Sequence, residues 1–296
     1  MISFMKHKWL YFLISSIVLV PGIISLIFFG LKPSIDFTGG TLLELKVKSE
    51  KLKVNKEELI KIIEKNKVEV GSIQDSGKDT FLLRMKTIDK NKNLEIQKNI
   101  TKKYGKVEEI RFETVGPTLG RELLNKTYMA AILASFAILF YVAWAFKNIK
   151  FGASAVFALI HDVLVVLGIF SILGVIWGVE IDSLFVTAVL TTMSFSVHDT
   201  IVVFDRIREL KKKNQNIPFE IITNKAITET MVRSLNNSLT IMFMLLALVL
   251  LGGQSIRLFT IALLIGTISG TYSSPFVATP ILVLWQKFEE KKRNNK

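Results

Sequence analysis

Apolar residues gather into long runs along this chain. Six stretches (9–29, about 128–146, 152–176, 183–204, 234–251 and 257–285) are each near or above the roughly 20 residues that cross a hydrocarbon layer about 30 Å thick. Between the first and second runs the pattern changes. Residues 31 to about 125 are polar and Lys-rich, with short periodic segments instead of spans.

That polar region resolves into small elements. Gly39-Gly40 suits a sharp turn into a strand at 41–47. Leu59, Ile62 and Ile63 have helical spacing, and Asn55 with Glu58 reads as a capping box at the start of that helix. Residues 68–73 read as a strand, 75–77 as a turn and 80–88 as another strand. A second helix is predicted over 93–104, with Gly105 as its C-cap, and a last strand over 108–114. The order is β-α-β-β-α-β. The expected fold is therefore a polytopic α-helical membrane protein with six transmembrane helices and an α+β ferredoxin-like (βαββαβ) domain on the extracytoplasmic side.

The expected domains follow: 1–30, a first transmembrane helix with a cytoplasmic N-terminus; 31–126, the outer domain and connector; 127–285, five more spans with a cytoplasmic loop near 206–233 that contains one amphipathic stretch at 218–231; and 286–296, a basic cytoplasmic tail. A cleaved signal peptide is disfavoured because the first apolar run is too long and no small-residue cleavage pattern follows it. The connector at 115–132 starts a helix at Gly116-Pro117. Gly266, Gly270, Ser274 and Ala278 form a small-residue face in the last span, and Pro275 and Pro280 predict a kink there.

Composition sharpens this picture. Half the residues are hydrophobic, and the formal charge is +13. Lys and Arg crowd the short segments beside the runs: Lys6 and Lys8, Lys147 and Lys150, 206–213 and 287–296. That bias orients membrane proteins with their basic loops in the cytoplasm. Counting turns puts both termini and every basic loop on one side, and the polar domain on the other. The same bias explains the charge without nucleic acid. The chain has no Cys, and no nucleophile–base pair or metal-ligand cluster stands out, so neither an enzyme nor a metal or cofactor protein is expected.

The unusual residues are charges inside the spans. Asp199, next to His198, lies in an apolar helix, where an ionisable group costs about 2.5–3.5 kcal/mol on insertion scales. His161-Asp162 lies about 15 Å deep in the third span. Arg233 opens the fifth span, near enough in depth to meet Asp199. Burial and a neighbouring arginine act on such a carboxyl in opposite senses, which can bring its titration near physiological pH. The plainer alternatives are that Arg233 snorkels to the interface and that His161-Asp162 is a satisfied interhelical polar pair.

Four motifs carry a resemblance: SIDFTGG after the first span, VGPTLGREL before the second, HDVLVVLG in the third and SVHDTIVVFDRIRE in the fourth. Together they resemble the SecF branch of the SecD/SecF family, in the resistance-nodulation-division superfamily, over nearly the whole chain. The resemblance implies a heterodimer with SecD in a bacterial inner membrane. It implies a wider complex of the SecYEG channel and SecA, with YajC a further candidate, acting on a translocating preprotein. It also implies use of the proton motive force after the SecA-dependent step. The family's intramembrane acid falls on Asp199 and its arginine on Arg233. His198, His161 and Asp162 join them as proton-coupling candidates. Asp36, Phe37, Gly39, Gly40, Gly116, Pro117 and Gly120 carry the family's glycine and connector motifs. Two positions depart from the pattern: His198 stands where Asn is usual, and Ser34 where the first motif usually has Gly. A half-size proton-driven exporter of lipid or small molecules remains an alternative, although the outer domain is small for a substrate cleft. A non-motor scaffold subunit of the channel complex is another.

Overall fold

The computed structural model describes residues 3–48, 54–146 and 148–294. Of the basic flanks, Lys147 and Lys296 lie outside the described residues. The chain divides into two compact units, 33–128 and 1–32 with 129–296.

The first unit opens with the short helix α2 (Ile35–Thr38), preceded by the membrane helix α1 (Lys8–Phe28). It continues with β1 (Gly40–Lys48), α3 (Lys56–Lys65), β2 (Val70–Gly77), β3 (Thr80–Met85), α4 (Lys90–Tyr104) and β4 (Lys106–Val115). The sheet order is β2-β3-β1-β4 with all neighbours antiparallel, the arrangement expected of a split βαβ fold. β1 is buried on both faces over Gly40–Leu45, and its alternate positions from Leu43 face the helices. Leu43, Leu45 and Val47 pack with Leu83, Leu59, Ile63, Ile96 and Ile100 in one core. Each fully buried aliphatic side chain there contributes about 1.5–3 kcal/mol.

Two helix starts differ from the sequence pattern. Asn55 accepts from the Glu57 N–H at 2.9 Å, but Glu58 does not close a capping box. It accepts instead from the Tyr104 hydroxyl at 2.6 Å and pairs with Lys103 at 2.9 Å. Helix α4 begins earlier than 93 because Asp89 accepts from the Lys92 N–H at 2.7 Å and so caps an additional turn. Gly105 ends that helix at φ 97°, as its position predicts.

The remaining helices are α5 (Pro117–Phe146), α6 (Ile149–Trp177), α7 (Ser183–Lys213), α8 (Phe219–Leu251), α9 (Gln254–Ser273) and α10 (Thr279–Asn294). Six helical segments are long and apolar enough to cross a membrane, the last running from α9 into α10. A π-helical turn at Ser274–Ala278 joins α9 to α10, at the place where Pro275 removes a backbone donor. The segment 206–233 is mostly helical, contrary to its reading as a loop: α7 runs on to Lys213, and only 214–218 intervene before α8. The reason is amphipathic pairing. Ile207, Leu210, Ile222 and Ile227 are buried together, while Arg206 pairs with Glu229 at 2.6 Å and Lys213 with Glu209 at 2.7 Å.

Helix packing in the membrane unit depends on missing side chains. A Cβ on Gly22 of α1 would lie 2.9 Å from the Gly168 Cα of α6, and one on Gly168 would lie 2.7 Å from the Gly22 Cα. The two backbones cross in contact there, and Ser25 and Ser171 share a hydrogen bond of 2.7 Å nearby. Helices α7 and α9 meet in the same way. A Cβ on Gly266 would collide with Thr192, and one on Gly270 would lie 3.2 Å from the Ser196 Cα. Farther along, the Ser274 and Thr200 hydroxyls bond at 2.9 Å.

Gly168→Val is expected to push α1 from α6 and destabilise the folded protein by about 1–3 kcal/mol, the usual cost of overpacking. A lower midpoint in thermal unfolding of the detergent-solubilised chain checks this. In the first unit, burial and then the Glu58 contact push the Tyr104 hydroxyl up to about 12. A raised value means stability that is complete below about pH 10 and lost as pH rises toward 12. Tyr104→Phe should cost about 1 kcal/mol at neutral pH and flatten that alkaline loss, read by hydrogen exchange of β1 amides.

Candidate functional site

Two motifs far apart in sequence meet in the first unit. Ser34 caps α2 by accepting from the Asp36 N–H at 3.2 Å, so the serine at this position supports the turn. Phe37 is buried and Asp36 half-buried. Gly39 (φ 74°) and Gly40 (φ 128°) hold backbone angles that other residues disfavour. A Cβ on Gly39 would lie 2.7 Å from the Pro117 Cα, and one on Gly120 would lie 2.8 Å from the Gly39 N. Gly116, Pro117 and Gly120 therefore form the seat on which the Gly39-Gly40 turn rests. This is a packing lock between the two motifs.

The acid on α7 is held differently. Asp199 is 7% exposed, and its Oδ2 accepts from the Ser238 hydroxyl of α8 at 3.4 Å, with Ser234 one turn earlier also in reach. His198 is exposed. Asp199 and His198 line a cavity of about 20 Å³ with Asn237 and Ser238 of α8 and Thr267 and Thr271 of α9, room for about one water. Arg233 is exposed and makes no ion pair with Asp199 among the described residues. In this structure the two residues that sequence depth allowed to meet are apart, and hydroxyls take the arginine's place beside the carboxyl.

The acid on α6 is the more enclosed. Asp162 is 1% exposed. Its Oδ1 accepts from the Ser269 hydroxyl at 2.6 Å and its Oδ2 from the Ser273 hydroxyl at 2.6 Å, both on α9. The His161 Nδ1 lies 2.9 Å from the same Oδ1, and its Nε2 lies 3.1 Å from the Ser15 hydroxyl of α1. A carboxylate only accepts, so it calls for the proton on Nδ1, leaving Nε2 to accept from Ser15. Three helices thus converge on one pair. Its serines were not singled out in the sequence. Their signal is weak: hydroxyls four apart on α9 (Ser269, Ser273) and on α8 (Ser234, Ser238), in spans where Ser and Thr commonly bond their own helix.

Fold and site together define a membrane protein with six candidate spans, a ferredoxin-like domain after the first of them, and acidic side chains held by hydroxyls in its helix interfaces. A profile for the protein export membrane protein SecD/SecF, C-terminal region, matches residues 95–288, and one for the SecD/SecF GG motif matches residues 24–51. The chain belongs to the SecD/SecF family. It is similar to the protein translocase subunit SecF of Thermobaculum terrenum, at 41% identity over 97% of this chain and 94% of that one. It is also similar to the SecF of Anaerolinea thermophila, at 38% identity over 98% and 96%. Among solved structures it resembles SecDF of Thermus thermophilus, a translocon-associated membrane protein, with TM-score 0.84 and 31% identity. That match covers 97% of this chain and 39% of the SecDF chain.

Removing the hydroxyls of Ser269 and Ser273 leaves a buried carboxylate short of two donors. Ser269→Ala and Ser273→Ala are each expected to cost about 2 kcal/mol of stability, and the pair less than the sum because the sites share one partner. Thermal unfolding of the single and double variants measures this.

Proposed function

We propose that this chain is the SecF subunit of a Sec protein translocase, in a multi-pass arrangement in a bacterial inner membrane with both termini in the cytoplasm. The observation that carries the reading is the likeness to named SecF subunits along nearly the whole chain. The SecDF chain, of which this one matches about two fifths, supports pairing with a SecD subunit. SecYEG, SecA and YajC complete the proposed assembly, and a translocating preprotein is its substrate.

The proposed mechanism uses the proton motive force after the SecA-dependent step. Asp199 is the coupling acid, with His198 and Arg233 as further proton-coupling candidates, and His161 with Asp162 forms the other intramembrane pair. Protonation of Asp199 removes the charge that Ser234 and Ser238 compensate, so α8 has a reason to move relative to α7. The connector at 115–126 carries the change to the outer domain, residues 31–126. One proton falling through 100 mV releases about 2.3 kcal/mol, and each pH unit of gradient adds about 1.4. Shifting a two-state element from 1:99 to 99:1 takes about 5.5 kcal/mol, so one or two protons are enough.

In a depleted strain, Asp199→Asn should insert normally and reduce export to the level seen with a collapsed gradient. Export that stays near normal and gradient-dependent in this variant favours the scaffold role instead.

A further inference from the structure

We propose that the cavity between α1, α6 and α9 is a binding site for the acyl chain of a membrane phospholipid, which forms the outer wall of the His161–Asp162 cluster. The site depends on these helices crossing a membrane and stands apart from the translocase reading above.

Size, depth and wall chemistry select this occupant. The cavity measures about 330 Å³. An apolar cavity of about 150 Å³ stays dry and takes up benzene, so this one has room for a larger apolar body. Val18 is the midpoint of α1 (Lys8–Phe28) and Val163 that of α6 (Ile149–Trp177). The wall residues Ile14, Val18, Val165 and Ile169 lie at or near those midpoints, none farther than about 9 Å along its helix at 1.5 Å per residue. The cavity is therefore at the depth of the hydrocarbon core, where the surrounding medium is acyl chain. Its polar residues offer little to water or to a head group. The Ser15 hydroxyl is bonded to the His161 Nε2 at 3.1 Å, the Ser269 hydroxyl to Asp162 at 2.6 Å and the Tyr272 hydroxyl to the Tyr11 carbonyl at 2.8 Å. His161 is engaged at both ring nitrogens. A cavity water needs two to four polar partners, and each polar side chain on this wall already has one inside the protein.

The mouth of the cavity is continuous with the lipid-facing surface. Ile14 is 43%, Val18 40% and Ile268 50% exposed, and the exposed Leu10 and Ile17 extend that surface along α1. Helices in membranes dock on one another through small residues or interhelical hydrogen bonds. On α1 both are already used within the protein: Gly22 lies against Gly168 and Ser25 bonds to Ser171, while the rim of the cavity carries branched aliphatic side chains. A flexible acyl chain adapts to such a rim, and filling the space restores the dispersion contacts that a void forfeits. Ser15, His161 and Ser269 line the same cavity, so a chain seated there closes the Asp162 cluster to water.

The test uses a phospholipid with a photoactivatable diazirine at the middle of one acyl chain, in lipid nanodiscs holding the full protein, alone and with its proposed SecD partner. Adducts are mapped by mass spectrometry. The expected result in both preparations is labelling of Ile14 and Ile268 several-fold above that of Phe243, an exposed residue of α8. Val165→Phe and, separately, Val18→Phe fill the cavity, and each is expected to lower the Ile14 and Ile268 labelling several-fold while Phe243 keeps its own. The second variant lies on the exposed rim, where a larger side chain is tolerated if the first disturbs folding; an unchanged thermal midpoint identifies the folded variants. Wall labelling at the Phe243 level that neither substitution lowers means ordinary contact with surrounding lipid and overturns the site. Wall labelling that is present in the protein alone and lost with SecD means that a partner helix takes the cavity, and it overturns the acyl-chain occupant.

Discussion

Close approach of α9 to its neighbours is the constraint on which the membrane unit depends. Where Gly266 and Gly270 face α7, the helix offers no side chain, and Thr192 and Ser196 fill the space against its backbone. Lipid tails give apolar helices little reason to prefer one another, so packing of this kind and interhelical hydrogen bonds decide association. The same approach brings Ser269 and Ser273 to Asp162 on one side and Thr267 and Thr271 to the Asp199 cavity on another. One helix thus takes part in both ionisable sites.

The two carboxyls illustrate different solutions to one problem. A charge without water must be bonded or paired. Asp162 is enclosed by two serine hydroxyls and an imidazole, a rigid and nearly complete set of donors. Asp199 has longer, sparser contacts and a small polar cavity beside it, next to an exposed histidine. A site with fewer and weaker bonds to its charged form changes protonation at lower structural cost, which agrees with the proposal that puts coupling at Asp199. The π-helical turn directly after Ser273 gives the last span a local irregularity beside the Asp162 cluster, of the kind often found at functional positions.

Much of the fold was legible in the pattern of residues. Runs of apolar length gave six spans, and period switching in 31–125 gave βαββαβ, because both signals come from burial that each local segment needs for itself. In the segment 206–233 the amphipathic stretch at 218–231 was legible and lies on α8, but 206–213 was read as loop because its charges suggested solvent, whereas their spacing lets them pair along and between two helices while Ile207 and Leu210 face inward. The site was only partly legible. Asp199, His161 and Asp162 stand out as charges in apolar sequence. Their partners Ser15, Ser238, Ser269 and Ser273 do not, since a serine's role depends on which helix lies opposite, and that is a tertiary fact. The glycine motifs were visible as words, yet their mutual fit at Gly39 and Gly120 required the backbone to show how closely they approach.

The central claim is that Asp199 carries protons through the membrane unit. Proton uptake into liposomes containing this chain with its SecD partner, under an imposed pH gradient, tests it most directly. The account predicts that Asp199→Asn, inserted at the wild-type level, conducts no more than empty liposomes. Proton uptake at the wild-type rate in that variant would contradict it.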